Sequence, residues 1–235
     1  MLRTGLVGLL LASGLLAMAP KSATAAGNEG IAGLDGVWML IMPDSESEIV
    51  FTEEGARVSS EYDLLSDDPS LYCTPASVAR IWGNPNSRIK IEQLASEVRI
   101  SYELFDLRRL IPLGDSSTIS ASPSTRNLDG TEFPEMGSSV AHYEEDTLII
   151  ESRNHVPGYI RTSRGIPQGT ATIAYEALRV ENDTLYITHT YIDEELYKKP
   201  FVLNYNFRRL DAEDVDIYNC TDADYDWFLE LNEDN

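Results

Sequence analysis

The sequence predicts an all-β protein: an antiparallel, closed or nearly closed β-barrel of about 8–10 strands, with a two-sheet β-sandwich as the alternative. Three observations predict it. A strand–turn–strand pattern occurs twice, over Val140–Glu151 and Leu178–Thr188, and each copy closes an acidic turn with Asp-Thr-Leu. Several other segments alternate apolar and polar residues, the period of a strand with one buried face. No stretch shows the strand–helix–strand rhythm of a parallel sheet.

Leu34 to Ile41 reads as the first strand, ended by Pro43 and the acidic run Asp44–Glu48. Ile49-Val50-Phe51 reads as a second short strand. Ser66 to Cys73 reads as a loop or short helix, and Asn84-Pro-Asn-Ser87 as a turn. Three alternating sets follow: Ile89 and Ile91; Val98, Ile100, Tyr102 and Leu104; then Phe105, Leu107, Arg109 and Ile111. The last set places Arg109 on an apolar face. Ser116–Gly137, rich in Ser, Pro, Asn and Gly, is the longest loop and reads as either mobile or a lid over a site. The two repeated hairpins come next, with turns expected to span about three to five residues. Asp193–Tyr197 suggests one helical turn, Phe201 to Phe207 an alternating strand, Val215–Tyr218 a last strand, and Ala223–Leu231 a short C-terminal helix.

The N-terminus has the pattern of a signal peptide: Arg3, an apolar run from Gly5 to Ala19, and Ala23-Thr24-Ala25 as a small-x-small cleavage site. The run is shorter than the ~20 residues that span a bilayer. The expected organisation is a signal peptide over 1–25 and one β-barrel domain over 26–235 with an acidic C-terminal tail. The expected location is the periplasm or the extracellular medium, with no membrane insertion after cleavage. A formal charge of −21 disfavours nucleic acid and anionic membranes as partners. Cys73 and Cys220 are the only cysteines, and in an oxidising compartment they most simply form one disulfide.

Two resemblances follow from particular residues. Gly36-Val37-Trp38 resembles the Gly-x-Trp signature of lipocalins, which implies that Trp38 closes one barrel end under Arg208 or Arg209. Asp68 to about Tyr225 is similar to a large uncharacterised family of secreted bacterial proteins. The matching positions are Asp68-Pro69, Cys73, Pro75, Arg80, Val98, Tyr102-Glu103, Gly137 and Ser139-Val140. Glu144, Asp146-Thr147-Leu148, Glu176, Arg179, Pro200, Phe207-Arg208-Arg209 and Cys220 complete them. The chain departs from that pattern at Ser138, where the family usually has His, and at Tyr143 and Glu145, where the family's usual Trp-Glu-Gly-Asp has Trp and Gly. The resemblance implies a periplasmic calycin-like barrel and no known activity.

Candidate site residues come from the inward faces. His189 shares a strand face with Leu185, Ile187 and Tyr191, so a buried His189 is a candidate base or ligand contact. Arg109 needs a buried anion, and Glu176 is its internal candidate. Tyr102 joins His189 and Glu176 as a candidate catalytic group; Arg109, His189, Tyr191 and Tyr102 are the candidate ligand contacts. His142 reads as a surface or rim residue and His155 as a loop residue. Scattered histidines suggest no metal site. The tail Asp222-x-Asp224-x-Asp226 with Glu233 has calcium-loop spacing, but Trp227 stands where the loop requires Gly. No nucleophile elbow, zinc helix or phosphate-binding Gly loop is present, and no cofactor is implied. Three functions follow: binding of a small, largely apolar ligand inside the barrel; a cofactor-independent isomerase, cyclase, lyase or hydrolase; or an envelope structural or assembly protein.

Overall fold

The computed structural model describes residues 30–222. The signal segment, the C-terminal helix expected over 223–231 and all of the calcium-spaced tail beyond Asp222 lie outside the described residues.

An antiparallel sheet of ten strands makes up most of the fold. In chain order its strands are β1 (Gly36–Glu46), β2 (Arg88–Gln93), β3 (Glu97–Tyr102), β4 (Arg108–Pro112), β5 (Thr125–Arg126), β6 (Ser138–Glu144) and β7 (Thr147–Arg153). A separate two-stranded ribbon, β8 (Gly158–Arg161) and β9 (Ile166–Gln168), follows. Strands β10 (Ile173–Glu181), β11 (Thr184–Ile192) and β12 (Phe201–Leu210) complete the sheet. The spatial order is β5-β4-β3-β2-β1-β12-β11-β10-β7-β6.

No ladder joins the two edges of this sheet, so it is not a closed barrel by backbone pairing. The edges do meet at stitches. A single parallel bridge links Leu113 to Ala141, and Gly114 N–H donates to Ala141 O at 2.8 Å. Ser124 binds both edges: its carbonyl accepts from Leu110 N–H at 3.0 Å, and its N–H donates to Gly137 O at 3.1 Å. Its hydroxyl oxygen accepts from Ser139 N–H at 2.7 Å.

Period-two burial holds along β10 and β11, where Leu185, Ile187, His189 and Tyr191 are buried and Thr184, Tyr186, Thr188 and Thr190 are less so. The interior is filled. Trp38, Trp82, Tyr102, Tyr205 and Phe207 are all fully buried. Trp82 arrives on α3 (Val78–Trp82), the third of three short helices after α1 (Glu53–Glu61) and α2 (Leu64–Asp67). Helix α3 starts where Ser77 Oγ accepts from Arg80 N–H at 3.1 Å. It is buried on nearly every side, which requires partners all round it. Tyr191 Oη accepts from Ala79 N–H at 3.2 Å, Tyr205 Oη donates to Ala79 O at 3.1 Å, and Ser77 Oγ donates to Ile160 O at 2.8 Å.

Several sequence expectations change. The first strand runs through Pro43 to Glu46, because a register irregularity between Ile41 and Ser45 takes the proline out of the ladder. Ile49–Phe51 is not a strand; Phe51 alone bridges to Tyr197. The third alternating set begins at Arg108, since a 3₁₀ turn over Leu104–Asp106 holds Phe105 and Asp106 at φ 58° and 55°. Val215–Tyr218 is a strap rather than a strand. Asp216 pairs with Arg88 at 2.6 Å, and Tyr218 N–H donates to Asp106 at 2.8 Å. The strap ends at a disulfide joining Cys73 and Cys220, which lie 147 residues apart.

The two hairpins have two-residue turns, shorter than expected, because Glu144 pairs with Thr147 and Glu181 with Thr184. Asn182 and Asp183 both have positive φ, at 49° and 59°, as a type I′ turn demands. Glu145 holds φ 53°, where its Cβ is crowded and Gly is free. Glu145→Gly is therefore expected to raise stability by roughly 0.5–1 kcal/mol; an unchanged or lower midpoint in urea unfolding would contradict the strain.

Candidate functional site

The inner face brings the sequence-derived candidates together around one ion pair. Arg109 on β4 and Glu176 on β10 are both within 1% of full burial, and Arg109 Nη2 lies 2.6 Å from Glu176 Oε2. The same nitrogen donates to Ser139 Oγ at 2.8 Å and Ser152 Oγ at 2.9 Å, and Nη1 donates to Tyr102 Oη at 3.5 Å. The other Glu176 oxygen accepts from the Trp82 indole N–H at 2.7 Å. Glu176 is thus committed to Arg109 and Trp82. Burial opposes ionisation of the Glu176 carboxyl, but Arg109 outweighs it and holds the carboxyl below its usual range. Burial likewise opposes the Arg109 charge, and Glu176 more than restores it.

His189 sits directly opposite Glu176 in the β10–β11 register, yet neither ring nitrogen has a hydrogen-bond partner among the described residues. Aromatic rings surround it: Tyr205 edge-on at 5.4 Å, Trp82 at 6.3 Å and a stacked Tyr191 at 6.5 Å. Burial lowers its pKa to about 4, although Glu176 pulls the other way, so the ring is neutral at pH 7. Burial also raises the pKa values of Tyr102 and Tyr191. A neutral imidazole with no bond to the neighbouring carboxylate is not an assembled acid–base pair.

The remaining candidates are elsewhere. The Arg209 guanidinium lies over the Trp38 ring, 4.1 Å from its centroid, and is held by Asp183. Arg208 points outward to Met39 Sδ. His142 is exposed and meets Glu144 at 3.0 Å. His155 is a loop residue, as expected, but a buried one, with Nδ1 facing Glu135 O at 3.3 Å. Among the described residues no group of three or more His, Cys, Asp or Glu is placed to hold a metal ion, and no helix is long and apolar enough to cross a membrane. Sequence reasoning missed Ser139, Ser152 and Trp82. Ser139 and Ser152 face each other across the β6–β7 hairpin, so inward alternation with Ala141 and Ile150 marks them. Nothing in the sequence marks Trp82.

Open space lies outside this cluster. Five of the surface hollows among the described residues have volumes of about 340–430 Å³, and Arg109, Glu176, His189, Tyr102 and Tyr191 line none of these five. One of about 420 Å³ has a mostly apolar lining and lies between the outer face of β4 and the Ser116–Gly137 loop. Leu110, Pro112 and Pro123 form its apolar wall; Arg108, Arg126, Asn127 and several serines surround it. The loop is clamped. Besides the Ser124 stitches, Ser138 Oγ donates to Ser122 O at 2.7 Å and Asn154 Nδ2 to Ser120 O at 3.0 Å.

No known protein family and no curated protein matches the sequence. Solved structures are similar in fold only. A fatty acid transporter, REP1-NXSQ, shares 12% identity over 77% of this chain and 99% of its own, with a TM-score of 0.39. A secretory abundant heat-soluble protein from Ramazzottius varieornatus shares 14% identity over 76% of this chain and 96% of its own, with a TM-score of 0.38. Zebrafish ileal bile acid-binding protein, complexed with cholic acid, shares 11% identity over 76% of this chain and 100% of its own, with a TM-score of 0.37. The resemblance to a secreted bacterial family gains no support from these matches.

Two outcomes follow from the interior geometry. Removing the negative partner leaves a buried, uncompensated guanidinium, so Glu176→Gln is expected to lower stability by about 3–5 kcal/mol in urea unfolding at pH 7. His189 binds its proton less readily folded than unfolded. Its contribution is complete above pH 6.5 and is lost as pH falls from 6.5 towards 4, by roughly 3 kcal/mol in all. His189→Leu should flatten that acid limb relative to the parent; parallel stability curves for the two proteins would rule it out.

Proposed function

We propose that this chain is an exported small-molecule-binding protein, and that its ligand, small and largely apolar, sits in the hollow between β4 and the Ser116–Gly137 loop. The observation that carries the reading is the hollow itself: about 420 Å³, mostly apolar, and formed by a loop that hydrogen bonds fasten to β4, to β6 and to the chain after β7. Ligand sites are typically pre-formed concavities of about 300–1,000 Å³ with apolar walls and a few placed polar groups. The interior supports binding less well, because α3 and the aromatic residues fill it and Arg109 already has its anion. The interior cluster then acts as the scaffold that fixes β4 and β6 on either side of the hollow. Export rests on the Met1–Ala25 segment and on the disulfide, which suits an oxidising compartment.

The reading is tested by native mass spectrometry of the protein purified from its own host, alongside Leu110→Trp, which fills the hollow. Leu110 is half exposed, so the substitution is expected to leave folding intact. A bound small molecule on the parent that Leu110→Trp reduces at least tenfold is the expected result. A ligand retained equally by both proteins places binding elsewhere, and a parent that carries nothing counts against the reading.

A further inference from the structure

We infer that the ligand of this hollow carries an anionic head, and that Arg108 receives it; the inference rests on the binding reading above and names its chemical class. Two features of the rim lead there.

The first is charge. Arg108 and Arg126 stand directly opposite each other in the β4–β5 register, a like-charge cross-strand pair that is unfavourable unless an anion intervenes. Arg126 has Glu132 at 2.6 Å. Arg108 has no carboxylate partner among the described residues; its Nη1 donates only to the carbonyl oxygens of Tyr102 and Leu107. The chain has 39 acidic and 18 basic residues, so neutralising carboxylates are plentiful. Arg57, Arg88, Arg99, Arg153 and Arg179 all have one. An arginine that faces a hollow, opposes a second arginine and lacks a carboxylate leaves a local positive charge on a strongly negative molecule.

The second is hydrogen-bonding polarity. Three polar side chains of the rim each use an oxygen to accept from a backbone N–H group. Ser120 Oγ accepts from Ser122 N–H at 3.0 Å, Ser124 Oγ from Ser139 N–H at 2.7 Å, and Asn127 Oδ1 from Thr131 N–H at 3.0 Å. Each still has hydrogens to donate, two hydroxyl protons and an amide NH₂ in all, beside one remaining acceptor lone pair on each oxygen. A rim with this cation and these donors complements a carboxylate, sulfonate or phosphate monoester oxygen, and Arg108 repels an alkylammonium. The apolar wall of Leu110, Pro112 and Pro123 then takes a short hydrocarbon portion. The class is a small anionic amphiphile.

The test uses the full mature protein and three probes with the same chain: octanoate, octanol and octylammonium. Affinity is read by calorimetry, and the place of binding by amide chemical-shift changes at Leu110, Ser124 and Ser139. Octanoate is expected to bind at least tenfold more tightly than octanol, octylammonium more weakly than either, and the octanoate affinity to fall as salt rises. Arg108→Gln should cost octanoate about tenfold and leave octanol unchanged. Arg108→Lys, which keeps the charge, should recover part of the loss and guards against a folding defect in the Gln variant. Equal or tighter binding of octanol, or indifference of octanoate to Arg108→Gln, overturns the anionic class while the hollow stands as a binding site. If no probe shifts those amides, the binding reading fails and the inference falls with it.

Discussion

One buried guanidinium holds this sheet in its shape. Arg109 lies on β4, next to one edge, and Ser139 lies on β6, the other edge. Their 2.8 Å hydrogen bond therefore crosses the gap that no backbone ladder spans. The same guanidinium reaches Tyr102 on β3, Ser152 on β7 and Glu176 on β10, and Glu176 takes the indole N–H of Trp82 from α3. A charge this deeply buried is tolerable only when its partners are fixed. The constraint runs both ways: the ion pair draws the edges together, and the closed-up edges keep the ion pair dry. Ser124 does the complementary work from outside, bonding β4 with its carbonyl and β6 with its N–H and hydroxyl oxygen.

Much of this frame was legible in the sequence because period two is a strong signal. The inward set Leu185, Ile187, His189 and Tyr191 and the pairing of Arg109 with Glu176 follow from alternation and from the cost of a lone buried charge. The hairpin turns were placed correctly and only their length was overstated, since Asp-Thr-Leu reads equally well with two central residues as with more. The rest was illegible for physical reasons. Helix α3 has five residues, four of them buried and only Arg80 partly exposed, so it is too short and too apolar to show a period. Strand β5 is two residues long and takes its place only through pairing with β4. The Phe105 turn breaks an apparently perfect alternation, because alternation reports which face a residue would occupy and is silent on where the chain leaves the sheet.

The candidate site was less legible than the fold. The sequence points to inward polar residues, and the structure does gather them, but into a network centred on the Arg109–Glu176 pair, with Arg109 Nε left without a partner among the described residues and α3 packed against it. His189 stands outside that network, a neutral imidazole among aromatic rings whose two nitrogens have no partner among the described residues. The edge-on Tyr205 ring at 5.4 Å gives it at most a weak polar contact. Burial lowers its pKa, so its expected cost is acid sensitivity, and the carboxylate opposite is already engaged by Arg109 and Trp82. The Ser116–Gly137 loop, whose composition marks it only as irregular, is where concave space is found.

That space and its polarity are consequences of how the sheet closes. A laddered edge satisfies its own N–H groups strand to strand, and the seam between β4 and β6 does not. Ser139 N–H therefore needs an acceptor from the loop, and Ser124 Oγ supplies it; within the loop, Ser120 and Asn127 do the same for Ser122 and Thr131. Each such bond uses one acceptor lone pair and leaves the side chain's own hydrogens available to donate. A closure made of stitches rather than a ladder thus places donors on the rim, and Arg108 adds a positive charge that no carboxylate among the described residues cancels. The interior ion pair bridges the seam, the seam draws acceptors from the loop, and Arg108 on β4 with the loop's side chains sets the polarity of the hollow's rim.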